Sequence, residues 1–210
     1  MFVAENVSGL VKGTAKGYFI QILNKMRSVG YRVRAAVVDA QWLGVPQGRQ
    51  RLIFIGARED TGIEPKHPDP FAYRYSMEDA IPWIRDPAAV TRECADDAPE
   101  IGRFAIGKAW DRVAPGGGSS ERYFSLVLPD PRKPCPTVTQ TAGVSGAASV
   151  VHPFERRKLS CLELRRVCGF PDDFVLTGDY RRRVERLGRS VPPVMMMQIA
   201  KAVEKSLKGS

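Results

Sequence analysis

Eleven of the 16 prolines fall between Pro65 and Pro136, and that crowding divides the 210-residue chain before any other feature is weighed. Proline lacks the amide that helix interiors and central strands need, so this stretch is confined to short strands, turns and loops. Two glycine-rich spots, Gly116-Gly117-Gly118 and Gly143 to Gly146, add to the effect. Yet Trp83, Phe104, Trp110, Tyr123 and Phe124 are spread through it. A bare linker has no use for such large apolar rings, so residues 61–155 read as a loop-rich folded module.

The flanks read differently. In residues 1–60, Phe2-Val3-Ala4 reads as the tail of a buried strand. Phe19, Ile22, Leu23 and Met26 then recur at helical spacing, with Gly30 where a C-terminal cap glycine belongs. Val33 to Val38 and Leu52 to Ile55 read as strands, with Leu43 to Gly48 as the loop between them. Residues 156–210 return to helix. Ser160-Cys161-Leu162-Glu163 is a capping box, and that helix ends at Gly169 before Pro171. A second helix opens at Ser190, since Pro192 and Pro193 are tolerated in a first turn, and Met195, Met196, Ile199, Ala202 and Val203 form its apolar stripe. Two α/β segments therefore flank one loop-rich insert.

Charge narrows the choice of partner. Lysine and arginine total 32 against 23 acids, for a net charge of +9. Ten basic residues against five acids lie between Arg156 and Arg189 alone. A clustered excess of this kind favours a polyanionic partner, although a solvated helical face gives the same pattern. Cys94, Cys135, Cys161 and Cys168 form no C-x-x-C pair, and His67 and His152 are the only histidines, so no metal site is expected. Met1 to Asn6 do not resemble a signal peptide and no apolar run approaches the length that spans a membrane, so a cytoplasmic protein with reduced thiols is expected.

Five local signatures occur in order: Glu5-Asn6-Val7 after a strand, Gln47-x-Arg49-x-Arg51 entering a strand, Pro136-Thr137-Val138-Thr139, the capped helix ending Gly169-Phe170-Pro171, and Gly188-Arg189-Ser190-Val191-Pro192-Pro193. Together they resemble the later motifs of the DNA (cytosine-5) methyltransferases, from the ENV motif to the final GNSVPP-like motif, over essentially the whole chain. The resemblance implies the C-terminal part of a Rossmann-like methyltransferase domain plus a smaller, mainly β target-recognition domain. Residues 1–60 would be a partial catalytic domain, 61–155 the recognition domain and 156–210 helices returning to the catalytic domain. The partner implied is double-stranded DNA in a prokaryotic or phage setting, and the cofactor is S-adenosylmethionine.

In that family a cysteine thiolate adds to C6 of a flipped cytosine, so that C5 can take the methyl group. By resemblance Glu5 is the acid at N3 and the exocyclic amine. Gln47, Arg49 and Arg51 stand on alternate positions, which in an extended segment share one face. The resemblance makes Arg51 the base contact, Arg49 a phosphate or structural contact and Gln47 a DNA contact. It also makes Gly117, Gly118 and Arg122 the first recognition loop and places Thr137 and Thr139 in the second, with Arg122 suited to guanine. Gly188, Ser190 and Val191 would line the cofactor pocket, although Arg189 stands where asparagine is usual.

Two essentials are expected outside these residues: the glycine-rich cofactor loop and the Pro-Cys-Gln nucleophile loop, both of which precede the ENV motif in the family. Pro134-Cys135-Pro136 falls too late in the motif order to be that loop. Half of a methyltransferase, completed by a complementary N-terminal half, is one reading of the chain. The other is a non-catalytic, sequence-specific DNA-binding module or remnant.

Overall fold

The computed structural model describes residues 1–86, 98–101, 110–113, 116, 118–119, 127–142 and 150–209. Strands β1 (Phe2–Val7), β2 (Tyr31–Asp39) and β3 (Gln50–Arg58) form one sheet in the order β1-β3-β2. Both outer strands run antiparallel to β3 and hence parallel to each other, and helix α1 (Lys16–Ser28) links them. The register sets Glu5 opposite Ile53, Val7 opposite Arg51 and Phe2 opposite Gly56.

Strand alternation gives the sheet two apolar faces. On one, Leu52 and Phe54 join Val33 and pack against Phe2, Ala4, Phe19, Ile22, Leu23 and Met26. Gly56 leaves room there for Phe2, since a Cβ would sit 2.1 Å from its ring. On the other, Ile53 and Ile55 meet Met195 and Ile199 of the last helix, α5 (Pro193–Lys208). The apolar run 52–55 is continuous because β3 is the central strand and is covered on both faces.

Two expectations change here. β1 is an edge strand rather than a buried one: Val3, Glu5, Asn6 and Val7 are exposed, and no described strand pairs with its outer edge. Ser190 does not open the last helix. A further helix, α4 (Tyr180–Arg189), ends at Ser190, and α5 begins at Pro193. The sequence signal for α4 is the apolar spacing Tyr180, Val184, Leu187 behind the Asp179 cap, and the arginine cluster obscures it.

The second core joins Met77, Ile81 and Ile84 of the proline-rich stretch to Cys135, Val138, Val150, Leu159, Leu164, Val184 and Leu187. Helix α2 (Met77–Ala80), α3 (Cys161–Val167) and α4 contribute to it, so it crosses the boundary expected at residue 155. The capping box at Ser160 and Glu163 forms as expected, and Gly169 turns the chain at φ 72°. Cys161 and Cys168 are core residues. A two-residue ladder pairs β4 (Gly118–Ser119) with β5 (Val127–Leu128).

Candidate base-binding site

Glu5 and Arg51 meet at the β1–β3 boundary. Residues directly opposite in an antiparallel pair share a face, so Glu5 is the diagonal neighbour of Arg51. Nε of Arg51 lies 2.8 Å from Oε1 of Glu5, and the side chains keep 13% and 31% of their exposure. Arg51 also donates to the carbonyl of Gln50. Beside the pair opens a cavity of about 370 Å³ lined by Ser8, Asp39, Gly48, Gln50, Arg51 and Thr137. Thr137 fixes one rim by donating its hydroxyl to the carbonyl of Gly48.

Gln47 and Arg49 precede β3, which starts at Gln50, and both are buried, whereas Arg51 keeps some exposure. Gln47 is fully buried and donates to Sγ of Cys168 at 3.2 Å, so it offers no surface to DNA in this conformation. Arg49 is also buried. It donates to the carbonyls of Val138 (2.9 Å) and Gly188 (2.6 Å), tying the segment before β3 to the Thr137–Thr139 stretch and to α4. Burial, and then the nearby charge of Arg51, lowers its pKa to about 10, which leaves it charged at neutral pH. Of the sequence's two roles for Arg49, the geometry favours the structural one.

Asp39 is a residue that sequence reasoning missed. Its carboxylate accepts from the amide of Arg49 (3.1 Å) and from the amide and side chain of Gln41, which sets the turn from which Arg49 and Arg51 project. The available signal was an acidic residue closing a β-rich run before a turn. Lys158 was missed as well: it is buried, donates to the carbonyl of Ala142, and is lowered to about 8 by burial. Nothing in the local sequence marks it.

Thr139 is exposed, its hydroxyl 3.1 Å from that of Thr141. Gly118 sits in the short ladder opposite Leu128. Gly117 and Arg122 lie outside the described residues.

The segment expected to line the cofactor pocket, Gly188, Ser190 and Val191, packs within the chain. A Cβ on Gly188 would lie 2.4 Å from the backbone of Thr139 and Gln140, so the glycine is required by protein packing. The hydroxyl of Ser190 donates to the carbonyl of Leu187, and Val191 packs against the core under α5. Arg189 bonds the side chain of Gln140 at 2.8 Å and pairs with Glu185. All of these groups are engaged within the protein, and none is an unpartnered polar group directed at a ligand.

The described thiols are unsuited to nucleophilic attack. Cys135, Cys161 and Cys168 are buried. Burial raises the Cys135 thiol well above its ordinary value and Cys168 to about 11, which suppresses the thiolate. Cys94 lies outside the described residues. Among those described, no cluster of potential metal ligands occurs, and no helix is long and apolar enough to cross a membrane.

Comparisons with known proteins agree with the motif order. The chain is 27% identical to the type II methyltransferase M.MthTI of Methanothermobacter thermautotrophicus, a match covering 99% of this chain and 67% of the relative. It is 30% identical to M1.HphI of Haemophilus parahaemolyticus (97% and 56%) and 28% identical to M.NgoFVII of Neisseria gonorrhoeae (97% and 58%). The chain thus spans between about half and two thirds of the length of these relatives. The fold is similar to that of Dnmt2 methyltransferase from S. pombe, with a TM-score of 0.61 at 15% identity over 99% of this chain and 67% of that one. The family profile described as C-5 cytosine-specific DNA methylase matches residues 1–205. This chain belongs to the C-5 cytosine-specific DNA methylase family.

Proposed function

We propose that this chain supplies the base-gripping and target-recognition part of a DNA cytosine-C5 methyltransferase acting on a cytosine flipped out of duplex DNA. The observation that carries the reading is the Glu5–Arg51 pair beside the cavity that Thr137 and Asp39 help to line. A cytosine seated there would meet a guanidinium suited to its carbonyl oxygen, while the Glu5 carboxyl would hold N3 and the exocyclic amine. Protonation at N3 withdraws electron density from the ring and eases thiolate addition at C6. The buried Arg49 positions this pair by holding the preceding backbone to the 138 and 188 carbonyls.

The segment 61–155, including the ladder at Gly118 and the exposed Thr139, would find the target sequence. S-adenosylmethionine, the methyl donor the family implies, supplies an electrophilic methyl group. Gly188, Ser190 and Val191 would line one part of its site, and the reading assigns the rest, with the attacking thiolate, to a complementary N-terminal methyltransferase segment.

The test is methyl transfer from S-adenosylmethionine to duplex DNA, with and without the N-terminal segment of a type II relative. The chain alone should be inactive and the complemented pair active, and Arg51→Ala should lose far more activity than Arg189→Ala. Glu5-dependent methylation by the purified chain alone would overturn the division of labour. Duplex binding without transfer after complementation would favour the non-catalytic DNA-binding module.

A further inference from the structure

Four exposed groups on two adjoining segments are not used by the cytosine site. Trp42 closes the 3-10 turn after β2 and is 38% exposed. Residues 71–75 lie beside it, tied by the amide of Phe71 donating to the carbonyl of Trp42 at 2.7 Å. The Phe71 ring sits against Gly44, where an added Cβ would approach it to 3.0 Å, so that end of the loop is fixed. From this anchor the rings continue in series: Phe71 to Tyr73 at 6.2 Å, and Tyr73 to Tyr75 edge-on at 5.1 Å. Tyr73 is 56% exposed and Tyr75 is also exposed, their hydroxyls bonded to each other. Between them, Arg74 lies over the Trp42 ring at 4.8 Å and donates to the side chain of Gln41. No carboxylate among the described residues pairs with Arg74.

This row connects to the cavity. Arg74 bonds Gln41, Gln41 bonds Asp39, and Asp39 lines the space beside Arg51. Both β1 and β2 are edge strands, and Trp42 follows β2, on the side of β3 opposite to β1. A strand completing the sheet at β1 would therefore leave the aromatic row uncovered.

We infer that Trp42, Tyr73, Arg74 and Tyr75 form a stacking platform for unpaired DNA bases beside the cytosine cavity. Exposed aromatic side chains interleaved with a guanidinium that has no carboxylate partner suit nucleobases joined by phosphates, because each base has a π-face and each linkage a negative charge. An apolar protein partner would leave the Arg74 charge unanswered, whereas the +9 chain as a whole attracts a polyanion. The inference depends on the proposed function only for the identity of its neighbour.

The test is tryptophan emission of the full chain titrated with the cytosine-free single strand (dT)12. Trp83 and Trp110 have buried indole nitrogens, so Trp42 should carry the response. The strand should quench the emission, Trp42→Phe should abolish the quenching, and Tyr73→Ser or Arg74→Ala should weaken binding about five-fold or more. Inorganic polyphosphate of equal charge should not quench. Unchanged emission with (dT)12, wild-type quenching in Trp42→Phe, or equal quenching by polyphosphate would overturn the platform. Circular dichroism of each variant separates lost binding from lost folding. Because (dT)12 offers no cytosine, its failure to bind leaves the cytosine pocket intact, and failed methyl transfer leaves the platform intact.

Discussion

Two carboxylate–guanidinium pairs, both closing at 2.8 Å, occupy opposite kinds of surroundings. Glu5 and Arg51 bridge an edge strand and the central strand at a cavity mouth, part of each still exposed. Glu163 and Arg157 are buried at 0% and 9%, with two parallel bonds between them. Burial works against the Glu163 charge, but Arg157 and the Ser160 amide hold its carboxyl below the usual range. The exposed pair can exchange its partner for a substrate at little cost. The buried pair cannot, because Glu163 left without Arg157 would be a fully buried carboxylate with neither water nor its guanidinium.

That contrast can be broken by mutation, most severely at the buried pair. Arg157→Ala should cost about 3–5 kcal/mol in urea unfolding, because it strands the Glu163 carboxylate. A loss below about 1 kcal/mol would show that the two pairs are equivalent.

Acid should act on the same buried region. Burial, then the Arg157 charge, lowers His152 to about 4, and its Nδ1 already accepts from the amides of Phe154 and Glu155. The unfolded chain would take up this proton near pH 6.5 and the folded chain only near 4. Stability is therefore highest above 6.5 and falls as pH drops through that window, by about 3 kcal/mol. Glu163 acts in the same direction: its folded value is depressed, so its contribution is lost below the ordinary carboxylate range. A pH-independent unfolding free energy between 7 and 4 would contradict this assignment.

Gly188→Ala should follow at about 1–3 kcal/mol, since the new Cβ meets rigid backbone at Thr139 and Gln140. Thermal unfolding would measure it, and an unchanged midpoint would show that the segment yields. The smallest effect on stability is expected for Arg51→Ala, below about 1 kcal/mol by the same urea measurement, because its pair is partly solvated. Complemented methylation should nevertheless fall most in that variant, and a large stability loss would place Arg51 with the buried pair.

How much of this could be read from sequence varies by residue. The capping box at Ser160 and Glu163, the Gly30 turn and the apolar β3 are local features, with their partners a few residues away. That Gln47 and Arg49 are buried while Arg51 keeps some exposure was not legible. Alternation assigns side chains to a face but not what covers it, and the partners of the two buried side chains lie 89 to 139 residues away. Helix α4 was hidden because its arginines dominate its composition, while three apolar positions determine its packing.

The sequence by itself determined the family, through five motifs in order, and the elements whose periodicity or caps are written within a few residues. Tertiary structure alone decided which polar side chains face the cavity and which are enclosed. A strand's period of two assigns residues to faces, but what covers each face comes from distant chain. Here α5 and α1 cover the sheet, and the carbonyls of Val138 and Gly188 capture Arg49. Arg51 remains accessible beside Glu5 because the exposed β1 edge and the cavity leave that corner uncovered.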